Sequence, residues 1–170
     1  MFNIGIVGSR RPSEESTIKL INYLDLFISN IDDQVGIVTG GAYGADSIGM
    51  AYAASRGLEL TVYRPKEWHN SEFCERLLAE GWTDIFMTGA SFLDRNTFIV
   101  EDSDILICPD YGNGTLDAFE KAVIKDIPIV SVGLYRPAKD RFRDVPPGII
   151  HLGQPLFIAP QPMSSFYNFC

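Results

Sequence analysis

Four short stretches of this sequence hold residue types suited to binding anions. They are Gly8-Ser9-Arg10-Arg11-Pro12, Thr39-Gly40-Gly41-Ala42-Tyr43-Gly44-Ala45-Asp46, Arg64-Pro65-Lys66-Glu67-Trp68-His69-Asn70 and Pro109-Asp110-Tyr111-Gly112-Asn113-Gly114-Thr115. Glycine lets a backbone N–H come close to an oxyanion, and a helix that starts there points its positive end at the same spot. The hydroxyls of Ser9 and Thr115 can donate to a phosphate oxygen, and Arg10 can clamp one bidentately. A fifth stretch, "LDRNTFIVEDSD", sets Arg95 and Asn96 into a helix otherwise built of apolar residues.

Each stretch also has a plain structural reading. Glycines serve tight strand-to-helix turns, Arg10 and Arg11 can pair with Glu14 and Glu15 on the surface, and Thr115 can cap a helix. A single glycine-rich turn divides evenly between cradle and turn, so the weight rests on the loops together. One specific alternative is excluded. A dinucleotide fingerprint needs G-x-G-x-x-G after the first strand and an acid about 20 residues on. Here the first strand ends Gly8-Ser9-Arg10 and the third ends Tyr63-Arg64, so a nicotinamide-dependent dehydrogenase does not fit.

The elements that position these loops alternate along the chain. Strand-like apolar runs, "FNIGIVGS", "QVGIVTG", "LELTVYRP", "TDIFMTG", "SDILICP" and "IPIVSVG", are separated by helix-like stretches over 13–30, 45–57, 71–81, 92–101 and 115–126. In the first helix Ile18, Ile21, Leu24, Ile28 and Ile31 recur at helical spacing. This alternation predicts an α/β fold with a parallel sheet covered on both faces, and the four anion-binding loops all follow strand ends, where such sheets bind ligands. Six of the ten prolines lie beyond Gly133. Residues 1–133 therefore read as the core, and 134–170 as a proline-rich extension packing on the same domain, irregular but for an edge strand at "LFIAP".

Composition bounds the function. The chain has 170 residues, 46% of them hydrophobic, and a formal net charge of −8; its pI is about 4.7 and its mean hydropathy +0.05. That acidity argues against a broad nucleic-acid surface and leaves room for a local pocket that takes one small anion. The three cysteines are widely spaced and read as reduced thiols, while the two histidines belong to no paired metal motif. No cofactor and no metal is expected. With no basic leader and no apolar run of membrane-spanning length, a cytoplasmic protein without membrane partners is expected.

Taken in order, "GIVGSR", "IVTGGAYGAD", "DRN…SDILI" and "GT…A…PIVSV" closely resemble the SLOG superfamily over residues 4–132. That superfamily joins the DNA-processing protein DprA, the Lonely Guy phosphoribohydrolases (often labelled lysine decarboxylase-like) and small stand-alone nucleotide-binding proteins. The small members, with "GSR", "GGAxGAD" and a following "RN", are the nearest match. The resemblance implies a Rossmann-like three-layer sandwich with a mostly parallel sheet. It implies a nucleotide or nucleotide-derived ligand across Gly8, Ser9, Arg10, Gly40, Gly41, Gly44, Asp46, Gly114 and Thr115, with Asn96 and Gly112 beside them.

Three functions follow from the resemblance. The first is nucleotide binding, as in a sensor. The second is Lonely Guy-like cleavage of the N-glycosidic bond of a nucleoside monophosphate. Those enzymes carry "PGGxGTxxE", whose glutamate works with an upstream arginine. Arg95 falls at the arginine's position, but Asp110-Tyr111 follows Pro109 and Ala118 stands where the glutamate would be. Asp117, one position early, and Glu120, two late, are the substitute acids. The third is DprA-like binding of single-stranded DNA, the weakest match because those proteins are longer and carry a basic face. SLOG proteins are commonly dimers. Together with the aromatic residues of "FCERLLAEGW" and "SSFYNFC", this gives the expectation of a homodimer.

Overall fold

Short runs of apolar and β-branched residues build the strands: β1 (Phe2–Ile6), β2 (Val35–Thr39), β3 (Glu59–Pro65), β4 (Thr83–Met87), β5 (Ile105–Cys108), β6 (Ile129–Ser131) and β7 (Ile149–His151). In the computed structural model the described residues are 1–65, 71–87, 91–133 and 149–151. All neighbouring strands pair in parallel, giving one seven-stranded sheet in the order β4-β3-β2-β1-β5-β6-β7.

The six expected strands are all present. β7 was not expected, because a three-residue run within a proline-rich stretch is too short to show alternation. The edge strand expected at "LFIAP" lies outside the described residues, as does "SSFYNFC".

Among the described residues five helices lie between the strands: α1 (Glu14–Ile28), α2 (Ala45–Arg56), α3 (Ser71–Ala79), α4 (Phe92–Glu101) and α5 (Asn113–Ile124). Their ends follow local chemistry. The Ser13 hydroxyl caps α1 by accepting from the Ser16 N–H, and Ser91 and Asp94 form a capping box at α4. Gly57, left-handed at φ 64°, closes α2.

Alternation along the strands divides the core between the two faces of the sheet. Ile4, Ile6, Ile37, Ile105 and Ile107 join Leu20 and Leu24 of α1 and Met50 and Ala53 of α2 on one face. Val38, Leu106 and Cys108 join Ile99 and Val100 of α4 and Leu116, Phe119 and Ala122 of α5 on the other. The result is the expected three-layer α/β sandwich. Of the expected α1 stripe, Leu24 is buried and Ile21, Ile28 and Ile31 pack on this core, whereas Ile18 is exposed and Leu20, not expected, is fully buried. Within "FCERLLAEGW", Leu77 is buried and Trp82 packs on the same cluster, so these two side chains serve this chain's own core. Among the described residues no helix is long and apolar enough to cross a membrane.

The strand order sets where a ligand can sit. From β1 the chain steps outward through β2 and β3 to β4, then returns to β5 on the opposite side of β1. The loops leaving β1 and β5 therefore diverge, and a crevice opens between them at the carboxyl end of the sheet.

Candidate anion-binding site

A pocket of about 360 Å³ occupies this crevice. The β1–α1 loop contributes Gly8, Ser9 and Arg10; the β2–α2 loop and the first turn of α2 contribute Ala42 and Asp46. Phe92, Leu93, Arg95 and Asn96 come from the start of α4, and Gly112, Asn113, Gly114, Thr115 and Ala118 from the start of α5. Three helices thus direct their amino-terminal turns at one cavity. Each such end carries a partial positive charge that favours an anion. The third stretch singled out in the sequence stands apart: Arg64 is buried at the end of β3 and does not line the pocket, and 66–70 lie outside the described residues.

The glycines of the β2–α2 loop do not line the cavity themselves. Gly44 has φ 81°, and a Cβ there would strike the backbone of Ser9 and Arg10. The neighbouring Ala45 N–H donates to the Ser9 carbonyl at 3.0 Å, so this close approach locks the β1–α1 and β2–α2 loops together. Gly40 makes room for Arg95, whose Nη1 donates to the Gly40 carbonyl at 3.0 Å. Gly41, also at positive φ, is buried in the same turn. What the loop presents to the pocket is Ala42 and Asp46.

Asp46 is buried and accepts the Ala42 N–H at 3.0 Å. Burial pushes its pKa up from the usual carboxylate range; the Arg95 charge and backbone N–H groups of Ala42 and Gly40 oppose that shift. Burial correspondingly lowers the Arg95 pKa, with Asp46 acting to raise it and Arg10 to lower it. Guanidinium basicity is high enough that Arg95 remains a cation. Arg10 is exposed at the rim. The guanidinium carbons of Arg10 and Arg95 lie 5.7 and 5.9 Å from the centroid of the Phe92 ring, within cation–π range.

Asp110, fully buried, explains the departure from glycine at this position. One carboxylate oxygen accepts the Ser13 N–H at 2.8 Å and the other the Ser16 hydroxyl at 2.8 Å, while the Asp110 carbonyl accepts the Ser9 N–H at 2.5 Å. The end of β5 thereby anchors the start of α1 and the Ser9 backbone. A carboxylate is well placed at a helix amino terminus. Glu15, offered as a surface partner for the double arginine, pairs with Lys19 at 2.8 Å.

At α5, Gly112 takes the N-cap position with no side-chain cap, and the helix begins at Asn113, two residues ahead of its expected start. Thr115 is therefore the third helical residue rather than the cap, and it lines the pocket while nearly buried. Ala118 lines the pocket at the position of the Lonely Guy glutamate. The expected substitute acids are not brought there. Asp117 turns toward α4, accepting from Asn96 Nδ2 at 2.9 Å and Lys121 Nζ at 2.8 Å, and Glu120 is also absent from the lining. Among the described residues that line the cavity, the one carboxylate is Asp46.

Several lining residues were not named as candidates from the sequence: Val7, Ala42, Phe92, Leu93 and Asn113. Phe92 offered a signal, an aromatic residue one turn ahead of Asn96, and so did the Asn113 amide between its two glycines. Val7, Ala42 and Leu93 are small or apolar side chains with no chemistry to reveal them.

Fold and site together define a Rossmann-like α/β domain with a cationic pocket at its topological switch point. No family model and no curated protein matches the sequence. Solved structures do. DNA processing protein A from Helicobacter pylori, described by its single-stranded DNA binding mode, superimposes with a TM-score of 0.59 at 22% identity, over 77% of this chain and 65% of its own. DprA from Streptococcus pneumoniae gives 0.63 at 18% identity, over 78% of this chain and 50% of its own. The molybdenum cofactor carrier protein MCP from Chlamydomonas reinhardtii gives 0.58 at 19% identity, over 78% and 77%. The chain thus spans less than two thirds of either DprA structure. At these identities the likeness establishes the fold, and that fold is the one the SLOG resemblance implies. The expectation against nucleic acid gains no support from it, because two of these proteins are DNA-processing proteins.

Proposed function

We propose that this protein binds a phosphate-bearing small molecule, a nucleotide or nucleotide derivative, in the crevice between β1 and β5, and holds it without cleaving it. The observation that carries this reading is the convergence of Arg10, Arg95 and three helix amino termini on one cavity whose single carboxylate, Asp46, is committed to its own loop. A phosphate there exchanges water for charge-assisted donors, each about 1.5–3 kcal/mol. The volume sits at the small end of ligand cavities, about 300–1,000 Å³, and suits a mononucleotide better than a dinucleotide.

Binding is favoured over hydrolysis because cleaving an N-glycosidic bond calls for an acid or base beside the sugar, and Ala118 stands there while Asp117 faces away. The carrier role of MCP and the single-stranded DNA binding of the Helicobacter DprA are both compatible with a pocket that holds rather than transforms. A role as a sensor and residence in the cytoplasm belong to the same proposal.

Mass spectrometry of the small molecules released from the purified, heat-denatured protein tests this reading. A phosphate-bearing compound at near-stoichiometric yield, intact after incubation with fresh protein, supports it. Release of free base from nucleoside monophosphates would put the phosphoribohydrolase reading ahead.

A further inference from the structure

We infer that Asp117 is a positioning residue of the pocket, acting through the Asn96 side-chain amide on the Arg95 guanidinium. The inference rests on the reading of this pocket as the ligand site, and it gives Asp117 a role other than that of a substitute acid.

The geometry runs through three side chains. Asp117 accepts from Asn96 Nδ2 at 2.9 Å, and Asn96 Oδ1 accepts from Arg95 Nη2 at 3.3 Å. Asn96 is buried and lines the pocket; the Asp117 side chain is 15% exposed and does not. An ionised carboxylate can only accept, so it must face the NH₂ end of the Asn96 amide. That fixes the other end, the carbonyl oxygen, toward Arg95. Rotating the amide by half a turn would set NH₂ against the Arg95 Nη2 donor and carbonyl oxygen against the carboxylate. Both contacts would become repulsive, so a single amide orientation is compatible with Asp117 in place.

Lys121 completes the arrangement. Its ammonium bonds Asp117 at 2.8 Å one turn along α5 and also reaches the Leu93 carbonyl in the first turn of α4. The Asp117 charge is thereby balanced within the α4–α5 contact. Arg95 is held at one terminal nitrogen by Gly40 and at the other by Asn96. Asp117 governs the second of these holds without touching the cavity.

A double-mutant cycle with AMP as the probe, read by calorimetry, tests the inference. Asp117→Asn, which preserves shape and removes the demand for a donor, should weaken AMP binding about tenfold in the wild-type background. In the Asn96→Ala background the same change should have less than about a twofold effect, since the intermediary is gone. Equal effects in both backgrounds would overturn the inference. Side-chain amide NMR gives a readout that needs no ligand, with the Asn96 NH₂ pair identified by its loss in Asn96→Ala. Asp117→Asn should move that pair upfield and expose it to solvent exchange while the thermal midpoint and circular dichroism stay close to wild type; an unmoved pair would overturn the inference. Should the wild type bind no AMP while the amide pair responds as expected, the nucleotide reading fails and the positioning role stands.

Discussion

Gly40 and Arg95, on different elements of the fold, are fitted to one another: a Cβ added to Gly40 would lie 2.5 Å from the Arg95 guanidinium carbon, and the Gly40 carbonyl accepts from Arg95 Nη1 at 3.0 Å. The glycine that follows β2 is therefore the seat of the pocket's half-buried cation. Its neighbour in the turn, Gly44, serves a different contact, with the backbone of the β1–α1 loop. The two glycines make separable predictions.

Gly40→Ala should displace Arg95 and leave the fold in place. The new methyl meets the far end of a long side chain, which can swing aside. We expect a stability loss of about 1 kcal/mol, in the ordinary range for single substitutions, together with at least tenfold weaker nucleotide binding. Urea denaturation and calorimetry on the same variant measure both. Undiminished binding would show that the seated Arg95 is not needed.

Gly44→Ala should act in the opposite sense, on stability first. Here the obstacle is backbone and the residue sits at φ 81°, a conformation costing a non-glycine residue about 1–3 kcal/mol. Destabilisation by at least that amount, seen as a lower urea midpoint with unchanged slope, is the expected result. A neutral effect would mean that the two loops can separate freely.

The pocket also gives a pH dependence with a definite sign. The Asp46 pKa is raised in the folded protein by burial, so the folded state holds its proton more tightly than the unfolded chain does. Its contribution to stability is therefore fully present below the unfolded value of about 3.9 and is lost as pH rises from there through the raised folded value. Asp25, Asp33 and Asp94 have lowered pKa values and contribute in the other direction, so the comparison must isolate one group. The stability of wild type minus that of Asp46→Asn should decrease as pH rises above about 4. A difference that grows with pH would contradict the assignment.

Strand ends, the helices among the described residues and the make-up of the loops that line the pocket were legible in the sequence, the loops because glycine, hydroxyl and arginine side chains announce themselves by type. Helix phase was legible in α1 but for Ile18, and in α5 it decides the site. Asp117 and Ala118 differ by one position, about 100° around a helix of 3.6 residues per turn, and that rotation alone puts alanine in the cavity and the acid against α4. The start of α5 was displaced for a similar local reason: Gly112-Asn113-Gly114 reads as a turn, yet Gly112 caps the helix and Asn113 and Gly114 form its first turn. Asp110 was visible only as a departure from a motif; its hold on Ser13 and Ser16, more than 90 positions away, depends on β1 and β5 being neighbours.

The central claim is that the crevice recognises phosphate on a nucleotide, and a calorimetric comparison of AMP with adenosine tests it most directly. The pocket's cations and helix ends have nothing to hold on adenosine beyond its base and sugar. Losing even one charge-assisted contact, about 1.5–3 kcal/mol, corresponds to a factor of roughly ten to a hundred or more. AMP should bind with one-to-one saturation and adenosine at least tenfold more weakly, with the difference shrinking in the Arg95→Ala protein. Equal affinity for the two, or no saturable heat from AMP or any other common nucleoside monophosphate, would contradict the account.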